Sequence, residues 1–375
     1  MVLSLARGLA ELRTVDNRPR FELTLVTETP AGDFDGRSLP FPVVRKPSVL
    51  ALKRLVDAAD VIHLAGPALL PLSLAWLSRK PVVLEHHGYQ SVCPNGLLLH
   101  QPDGSICPGH YQAGRYGRCV HCQAAEMSWL RSLTQLLLMF PRNVLARSVA
   151  CNIAVSRHVS GRIALPRSRV VYHGVENTSG PEIAVGEIPP AQGKLRFAYV
   201  GRLVAEKGLP VLLQAAETLK REKREFELLL IGDGPQRADL EARAARAGLG
   251  DCVQFTGLLE GPKIAQALGS IHVVVMPSVW EETAGLAAME HMMRGRLVIA
   301  SKIGGLLETV GDAGLTCVAG SSEDLARCMR EVLLDRSLVT TLGRKGRERA
   351  QSLFLRDRMI ADHVGVCTEI LGRDT

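Results

Sequence analysis

The sequence predicts an α/β protein of two doubly wound domains, and three observations carry that reading. The chain has 375 residues, more than one ordinary hydrophobic core accommodates, which suggests two domains. Short apolar or β-branched runs alternate with helical or turn-rich stretches in both halves, the pattern of sheets covered by helices. Between the halves, Glu182 to Gly193 carries two prolines and two glycines among mixed residues and reads as a linker.

Composition narrows the partners. A hydrophobic content of 46% supplies enough apolar surface for two cores. Aromatic residues are only 4%, which argues against base stacking on exposed rings. A net charge of +7 and a pI near 9.0 point to an acidic partner, such as ligand phosphates or an anionic membrane. No Lys/Arg block or nucleic-acid motif appears, so nucleic acid is not expected as a partner. No apolar window reaches the ~18–20 residues of a membrane span, and Met1 to Leu12 carries no cleavable signal pattern. The nine cysteines are therefore expected in a reducing cytoplasm.

In the N-terminal half, residues 2–12 read as a helix and strands are expected at Phe21–Val26, Val61–Leu64, Val82–Glu85, Ala150–Val155 and Val170–Tyr172. A doubly wound domain opens with a strand that turns onto its first helix. That opening strand is missing here, so either the domain is built without it or the true start lies upstream of Met1. After the third strand comes Glu85-His86-His87-Gly88-Tyr89, which puts His87 at a strand end, where sheets of this kind meet ligands. An irregular insertion, 88–125, follows. Its Cys119-Val-His-Cys122 knuckle, with Cys93 and Cys107 upstream, has the ligand number of a structural zinc site, and His100, His110 and His121 are substitute ligands. Trp129 to Phe140 is strongly apolar with Arg131, Arg142 and Arg147 nearby, which suits a core helix or one lying on an anionic bilayer. Asp33-Phe34-Asp35 has the form of an Asp-x-Asp metal signature, but turn chemistry in a Pro/Gly/Asp loop explains the acids.

The C-terminal half is more regular. Strands are expected at Leu195–Val200, Phe226–Ile231, Cys252–Thr256, Ile271–Met276, Leu297–Ala300 and Leu315–Val318, alternating with helices as in a parallel sheet. Neither a dinucleotide fingerprint nor a P-loop follows the first strand. Instead Gly201-Arg202-Leu203-Val204-Ala205-Glu206-Lys207-Gly208 offers two cations in a glycine-bounded loop, able to clamp a diphosphate. Gly232-Asp233-Gly234-Pro235 makes a tight turn after the second strand. After the fourth, Pro277 to Glu290 leads into a helix that Gly295 can close. Glu282 precedes this helix, and Leu286, Met289, Glu290 and Met293 fall on one stripe of it. The helix N-terminus between the two acids favours an anion, so a ligand with hydroxyls at its ends and a diphosphate in its middle would fit.

These motifs, taken in order, resemble the retaining glycosyltransferases of the GT-B fold, of the group 1 or family 4 type. The match spans residues 20–375 and is strongest over 195–310. It rests on Gly201-Arg202 with Lys207-Gly208, Gly232-Asp233-Gly234, the Glu282/Glu290 pair, Gly304-Gly305 with Glu308, His87 at its strand end, and His173-Gly174-Val175-Glu176. The resemblance implies two Rossmann-like domains facing a cleft, the first without its usual opening strand. An acceptor-side domain spans 1–185, a linker 186–193 and a donor-side domain 194–352, and a helix from 353 to 375 crosses back to the first domain. It further implies that Glu282, Arg202, Lys207 and His87 serve catalysis. Gly201, Gly232, Asp233, Gly234, Thr283, Ala284, Gly285, Leu286 and Glu290 would bind a nucleotide-diphosphate sugar. Arg202 and Lys207 would hold the diphosphate, Glu290 the ribose and Glu282 the hexose. No cofactor is implied for the chemistry, and the acceptor would be a glycan or lipid-linked molecule, placing the enzyme in the cytoplasm or on the inner membrane face. Three departures from the family pattern stand out: Ala284 where Phe is usual, Leu297 where Pro is usual, and no glycine-rich acceptor loop near the N-terminus. A sugar-nucleotide epimerase and an inactive sugar-nucleotide-binding protein are the alternatives.

Overall fold

The structure, a computed structural model, describes residues 1–30, 36–177, 193–260 and 262–372. Asp33 and Asp35 and nearly all of the expected linker lie outside the described residues. The chain forms two compact units. One comprises residues 1–102, 107–174 and 356–375, and the other 103–106 and 175–355.

In the first unit the elements run α1 (Val2–Glu11), β1 (Leu25–Thr27), β2 (Val43–Arg45), α2 (Val49–Ala58), β3 (Ile62–Leu64), α3 (Leu69–Leu77) and β4 (Val82–His86). Two short strands lie in the insertion, β5 (Leu99–His100) in this unit and β6 (Ser105–Ile106) in the stretch grouped with the second. Then come α4 (Tyr116–Ala124), α5 (Trp129–Ser148), β7 (Cys151–Ala154), α6 (Arg157–Ile163) and β8 (Ser168–Val170). Serine side chains start two of the helices: Ser48 accepts from the Ala51 N–H and Ser156 from the Val159 N–H.

Parallel pairing in this unit falls into two pieces, β1–β2 and β3-β4-β7-β8. In a doubly wound sheet of order 3-2-1-4-5-6, the opening strand bridges the second and fourth. Among the described residues no strand pairs β1 to β3, and the break falls at that place. Sequence reading overlooked β2, a three-residue strand just after Pro42 with too few residues to show alternation. The core joins Leu5 and Leu9 of α1, Val83 of β4, Cys151 and Ile153 of β7, and Met359, Ile360 and Val364 of the final helix, α14 (Arg356–Leu371).

The second unit runs β9 (Leu195–Val200), α7 (Leu209–Arg221), β10 (Phe226–Ile231), α8 (Arg237–Arg246), β11 (Val253–Gly257), α9 (Pro262–Gly269) and β12 (Val273–Met276). It continues with α10 (Leu286–Met293), β13 (Leu297–Ser301), α11 (Gly304–Val310), β14 (Leu315–Cys317), α12 (Ser322–Leu334) and α13 (Ser337–Leu353). Its six strands pair in parallel in the order β11-β10-β9-β12-β13-β14. Chain direction away from β9 reverses between β9 and β12, the switch point at which such sheets bind ligands beyond their carboxyl ends. The sheet is buried on both faces: Phe197, Leu228, Leu230, Val273, Val275, Leu297 and Ile299 share one core, and Ala198, Val274, Val298 and Ala300 are buried on the other side.

Two expectations need correction. The Cys119–Cys122 segment is not a loop knuckle but part of α4, where residues three apart share one helix face. The stripe expected on α10 is divided: Met289 and Met293 are buried, with Ala288 and Met292, whereas Leu286 and Glu290 are exposed. Residues 286 and 290 are four apart and share the side of α10 turned from the core, so Glu290 is not buried in the apolar stripe, although partial desolvation still raises its pKa.

Candidate active site

Two loops meet at the switch point of the second unit, one leaving β9 and one leaving β12. The first is stitched to the turn after β10: the Gly201 N–H donates to the Ile231 carbonyl at 3.0 Å and the Leu203 N–H to the Asp233 carbonyl at 2.9 Å. This contact is close enough to require glycine. A Cβ on Gly232 would lie 1.9 Å from the Gly201 carbonyl oxygen, and Gly232 also has φ +138°. Asp233 accepts from the Gly234 N–H at 2.7 Å and from Arg237 at 3.1 Å, which together hold its carboxyl below the usual range. The Val279 N–H donates to the Glu206 carbonyl at 3.0 Å and joins the two switch-point loops.

Side chains of the two loops converge on Glu282. Its carboxylate is 6% exposed, takes Lys207 Nζ at 3.0 Å and also accepts from the Ser278 hydroxyl. Lys207 lies 5.7 Å from the Trp280 ring centroid, a cation–π contact that further fixes the ammonium. The backbone of Glu282 is clamped as well. The Gly305 N–H donates to its carbonyl at 2.6 Å, and a Cβ on Gly304 would sit 2.5 Å from that oxygen. The Gly304-Gly305 pair thus has a direct steric reason to lie beside Glu282.

Three residues after Glu282, Gly285 enters α10 in the left-handed region, φ +67°, and no side chain caps the first turn. The N–H groups of that turn and the helix dipole are available to an anion. At the other end, the Gly295 N–H bonds to the Met292 carbonyl and the Arg296 N–H to the His291 carbonyl, a Schellman closure with Gly295 at φ +69°. Ala284 is buried and its carbonyl accepts from the Thr309 hydroxyl; Thr283 stands between it and Glu282.

Not every expected site residue joins this constellation. Arg202 is 76% exposed, and its nearest acid is Glu206 at 3.8 Å. Only its backbone is anchored, by the Tyr199 hydroxyl donating to its carbonyl at 2.7 Å. Glu290 is exposed on the outer side of α10, although desolvation by the surrounding protein raises its pKa against the pull of Arg294. Sequence reasoning missed Ser278, Trp280 and Tyr199. Ser278 and Trp280 stand within the Pro277–Glu290 stretch, but no spacing rule marks them. Tyr199 lies in a strand whose other residues read only as core, and burial, then the Glu282 charge, raises its pKa.

In the first unit His87 is partly buried and stacks on His173, with ring centroids 5.1 Å apart and planes 11° from parallel. Its Nδ1 lies 3.4 Å from His173 Nε2. Burial lowers both pKa values, that of His173 to about 4, so the pair is neutral at pH 7. Cys93, Cys107, Cys119 and Cys122 line one cavity of about 20 Å³ together with His100 and His110, room for a single ion or water. Burial, followed by the neighbouring thiols, pushes the Cys119 pKa to about 12. Among the described residues, the trios of ligand atoms that close within 4.8 Å of one another are built on Glu85 and not on these thiols.

Comparison with known proteins follows this geometry. Over 98% of this chain and 95% of the other, the structure is similar to Anabaena HepE in complex with UDP, with a TM-score of 0.70 at 17% identity. Two Rossmann-like units in one chain define the fold as GT-B. Residues 184–349 match the family described as glycosyl transferases group 1. The 2-deoxystreptamine glucosyltransferase of Streptomyces kanamyceticus is 42% identical over 161 residues, 42% of this chain and 41% of that protein. The sulfoquinovosyl transferase SQD2 of Arabidopsis thaliana is 26% identical over 338 residues, 84% of this chain and 59% of that protein. The chain thus spans less than two thirds of the length of either relative.

Proposed function

We propose that the protein is a retaining hexosyltransferase that moves a hexose from a nucleotide-diphosphate sugar to a glycan or lipid-linked acceptor in surface polysaccharide or glycolipid synthesis. The observation that carries this reading is the buried Lys207–Glu282 pair beside the uncapped first turn of α10, at the switch point of the second unit. As the bond from the anomeric carbon to the diphosphate oxygen breaks, negative charge grows on the diphosphate. Lys207 and the first-turn N–H groups are fixed before that charge appears, which is the condition for strong electrostatic stabilisation. Arg202, free to swing, closes on the same phosphates. The acceptor oxygen forms the new bond to the anomeric carbon, and its proton leaves with the departing diphosphate, so no metal is required for balance. Glu282 contacts the hexose hydroxyls and Glu290 the ribose. On the acceptor side, neutral His87 offers a hydrogen bond without adding charge.

Support for transfer also comes from the relatives, whose names describe sugar transfer. The four-thiol cavity is assigned to a structural zinc ion, which would pin the insertion and take no part in chemistry. The enzyme is placed against an anionic bilayer through α5. On this helix Leu130, Leu137, Phe140 and Val144 are exposed, opposite buried Ser132, Leu136, Met139 and Ala146. At ~100° per residue, Arg131 and Arg147 fall at the two margins of the exposed apolar arc, where their stems reach headgroups. Trp76 and Leu77 of α3, which packs on α5, extend the patch. No helix among the described residues is long and apolar enough to cross a membrane.

A thermal-shift screen of nucleoside diphosphates and nucleotide sugars tests the donor site. A ligand at ~100 times its Kd stabilises by about 2.7 kcal/mol. One diphosphate should raise Tm in the wild type and not in Lys207→Ala. Product analysis with the responding donor should show an intact transferred hexose. An epimerised nucleotide sugar as the sole product, or binding without turnover, would replace this reading with one of its alternatives.

A further inference from the structure

The most unusual electrostatic arrangement outside the donor site surrounds Glu85. This carboxylate is 3% exposed, and four imidazoles from four parts of the chain face it. His63 Nε2 on β3 lies 3.0 Å from Oε2, His363 Nε2 on α14 lies 3.6 Å and His87 Nε2 lies 3.7 Å from the same oxygen, and His173 Nδ1 is 4.0 Å from Oε1.

His363 makes the arrangement informative. It is 2% exposed, and its Nδ1 lies 2.8 Å from the Met359 carbonyl, an acceptor that requires the proton to be on Nδ1. Its Nε2 is buried without a hydrogen-bond partner. With its proton on Nδ1 the ring aims the Nε2 lone pair at the Glu85 carboxylate; both groups are buried, and His63 is the exposed member of the trio. Such a contact needs a cation between the two atoms. A proton would draw the pair to hydrogen-bond distance, ~2.7–3.2 Å, and 3.6 Å is beyond it. A tetrahedral Zn²⁺, with bonds of ~2.0–2.2 Å to nitrogen and oxygen, separates its ligands by about 3.3–3.5 Å, between the 3.0 Å hydrogen-bonding distance of His63 and the 3.6 Å of His363. The Nδ1 contact to a backbone carbonyl is also the outer-shell partner that metal-bound histidines have. The His63, Glu85 and His363 ligand atoms all lie within 4.8 Å of one another.

We infer that His63, Glu85 and His363 form a divalent-cation site, fitted to Zn²⁺, which ties β3, β4 and α14 together. Two imidazoles and one carboxylate suit zinc. The cation neutralises Glu85 behind the His87–His173 pair and touches no donor phosphate, so this inference stands or falls independently of the proposed sugar transfer.

The test uses full-length, tag-free protein with Cys119→Ser and Cys122→Ser, which removes two ligands of the thiol cavity. After chelator treatment and dialysis against Zn²⁺, metal analysis should find about one ion per chain, and Zn²⁺ should raise Tm by several degrees. Co²⁺ should give the visible bands of a tetrahedral site without a sulfur-to-metal charge-transfer band. Adding Glu85→Gln or His363→Gln should abolish all three responses. If Glu85→Gln does not fold, His363→Gln and His63→Gln decide. If the cysteine substitutions prevent folding, the same histidine variants in the wild-type chain should lower the metal content by one ion and leave the thiolate band. Retention of the ion in the glutamine variants would overturn the site. So would a cysteine-substituted protein that folds, binds no metal and shows only pH-dependent stability, because a proton would then occupy the gap.

Discussion

Each unit of this protein buries one glutamate, and the two are treated differently by their surroundings. Glu282, 6% exposed, is matched by one fixed ammonium at 3.0 Å and one hydroxyl, and its backbone is clamped by Gly304 and Gly305. Glu85, 3% exposed, faces four imidazoles, and three of their nitrogens, on His87, His173 and His363, have no hydrogen-bond partner. A lysine closed on a buried carboxylate suits a site that must hold an ammonium in one fixed place. A carboxylate facing imidazole nitrogens that lack partners suits a site whose balance depends on what else enters it. The comparison teaches that burial alone does not mark a catalytic acid: the partner's chemistry and its freedom to be shared decide.

The largest expected effect comes from breaking the closed pair. Lys207→Ala should lower kcat by roughly 10²–10³-fold, the usual cost of losing one fixed donor to a developing charge. It should also destabilise the fold by about 1–3 kcal/mol, because Glu282 keeps only Ser278. Steady-state kinetics and urea unfolding on the same preparation measure both, and unchanged turnover would remove Lys207 from the mechanism.

Acidification should separate the two regions next. The folded-state pKa of His173 is about 4, below its unfolded value, and that of Glu85 is also depressed. In both cases the unfolded state binds more protons, so their stabilisation is complete above the unfolded pKa values and is lost as pH falls. For His173 the window runs from ~6.5 down to about 4, with a loss of up to ~3 kcal/mol. Chemical unfolding across this range should show the first unit weakening on acidification. His173→Gln should flatten the profile, and an unaltered slope in that variant would place the dependence elsewhere.

The smallest effect on the fold should follow Arg202→Ala. Its guanidinium is exposed and 3.8 Å from Glu206, so stability should change by no more than about 0.5 kcal/mol. If Arg202 closes on the diphosphate, KM for the donor rises by about tenfold while the Tm of the free protein holds. An equal loss from a neutral substitution at Glu206 would show that the loop, not the cation, was responsible. A flotation assay with anionic vesicles completes the series: Leu137→Ser with Val144→Ser should reduce binding to vesicles without altering donor affinity.

The sequence by itself determined the second unit almost completely. Leu195–Val200 and Phe226–Ile231 were legible to the residue because continuous apolar runs between turns have no stable alternative to a strand buried on both faces. Gly295 was legible as a helix stop because only a residue tolerant of positive φ closes a helix in this way. Tertiary structure alone decided which of the flagged charges are buried. Glu282 and Glu290 look equivalent as letters eight apart, but one is held inside by Lys207 and Ser278 and the other faces solvent, since helix rotation is set by what α10 packs against. The Glu85 cluster was invisible in one dimension for a related reason. His63, Glu85 and His363 are brought together only by a sheet and by a final helix that packs in the first unit, and no local pattern records a contact across 278 residues of chain (363 − 85).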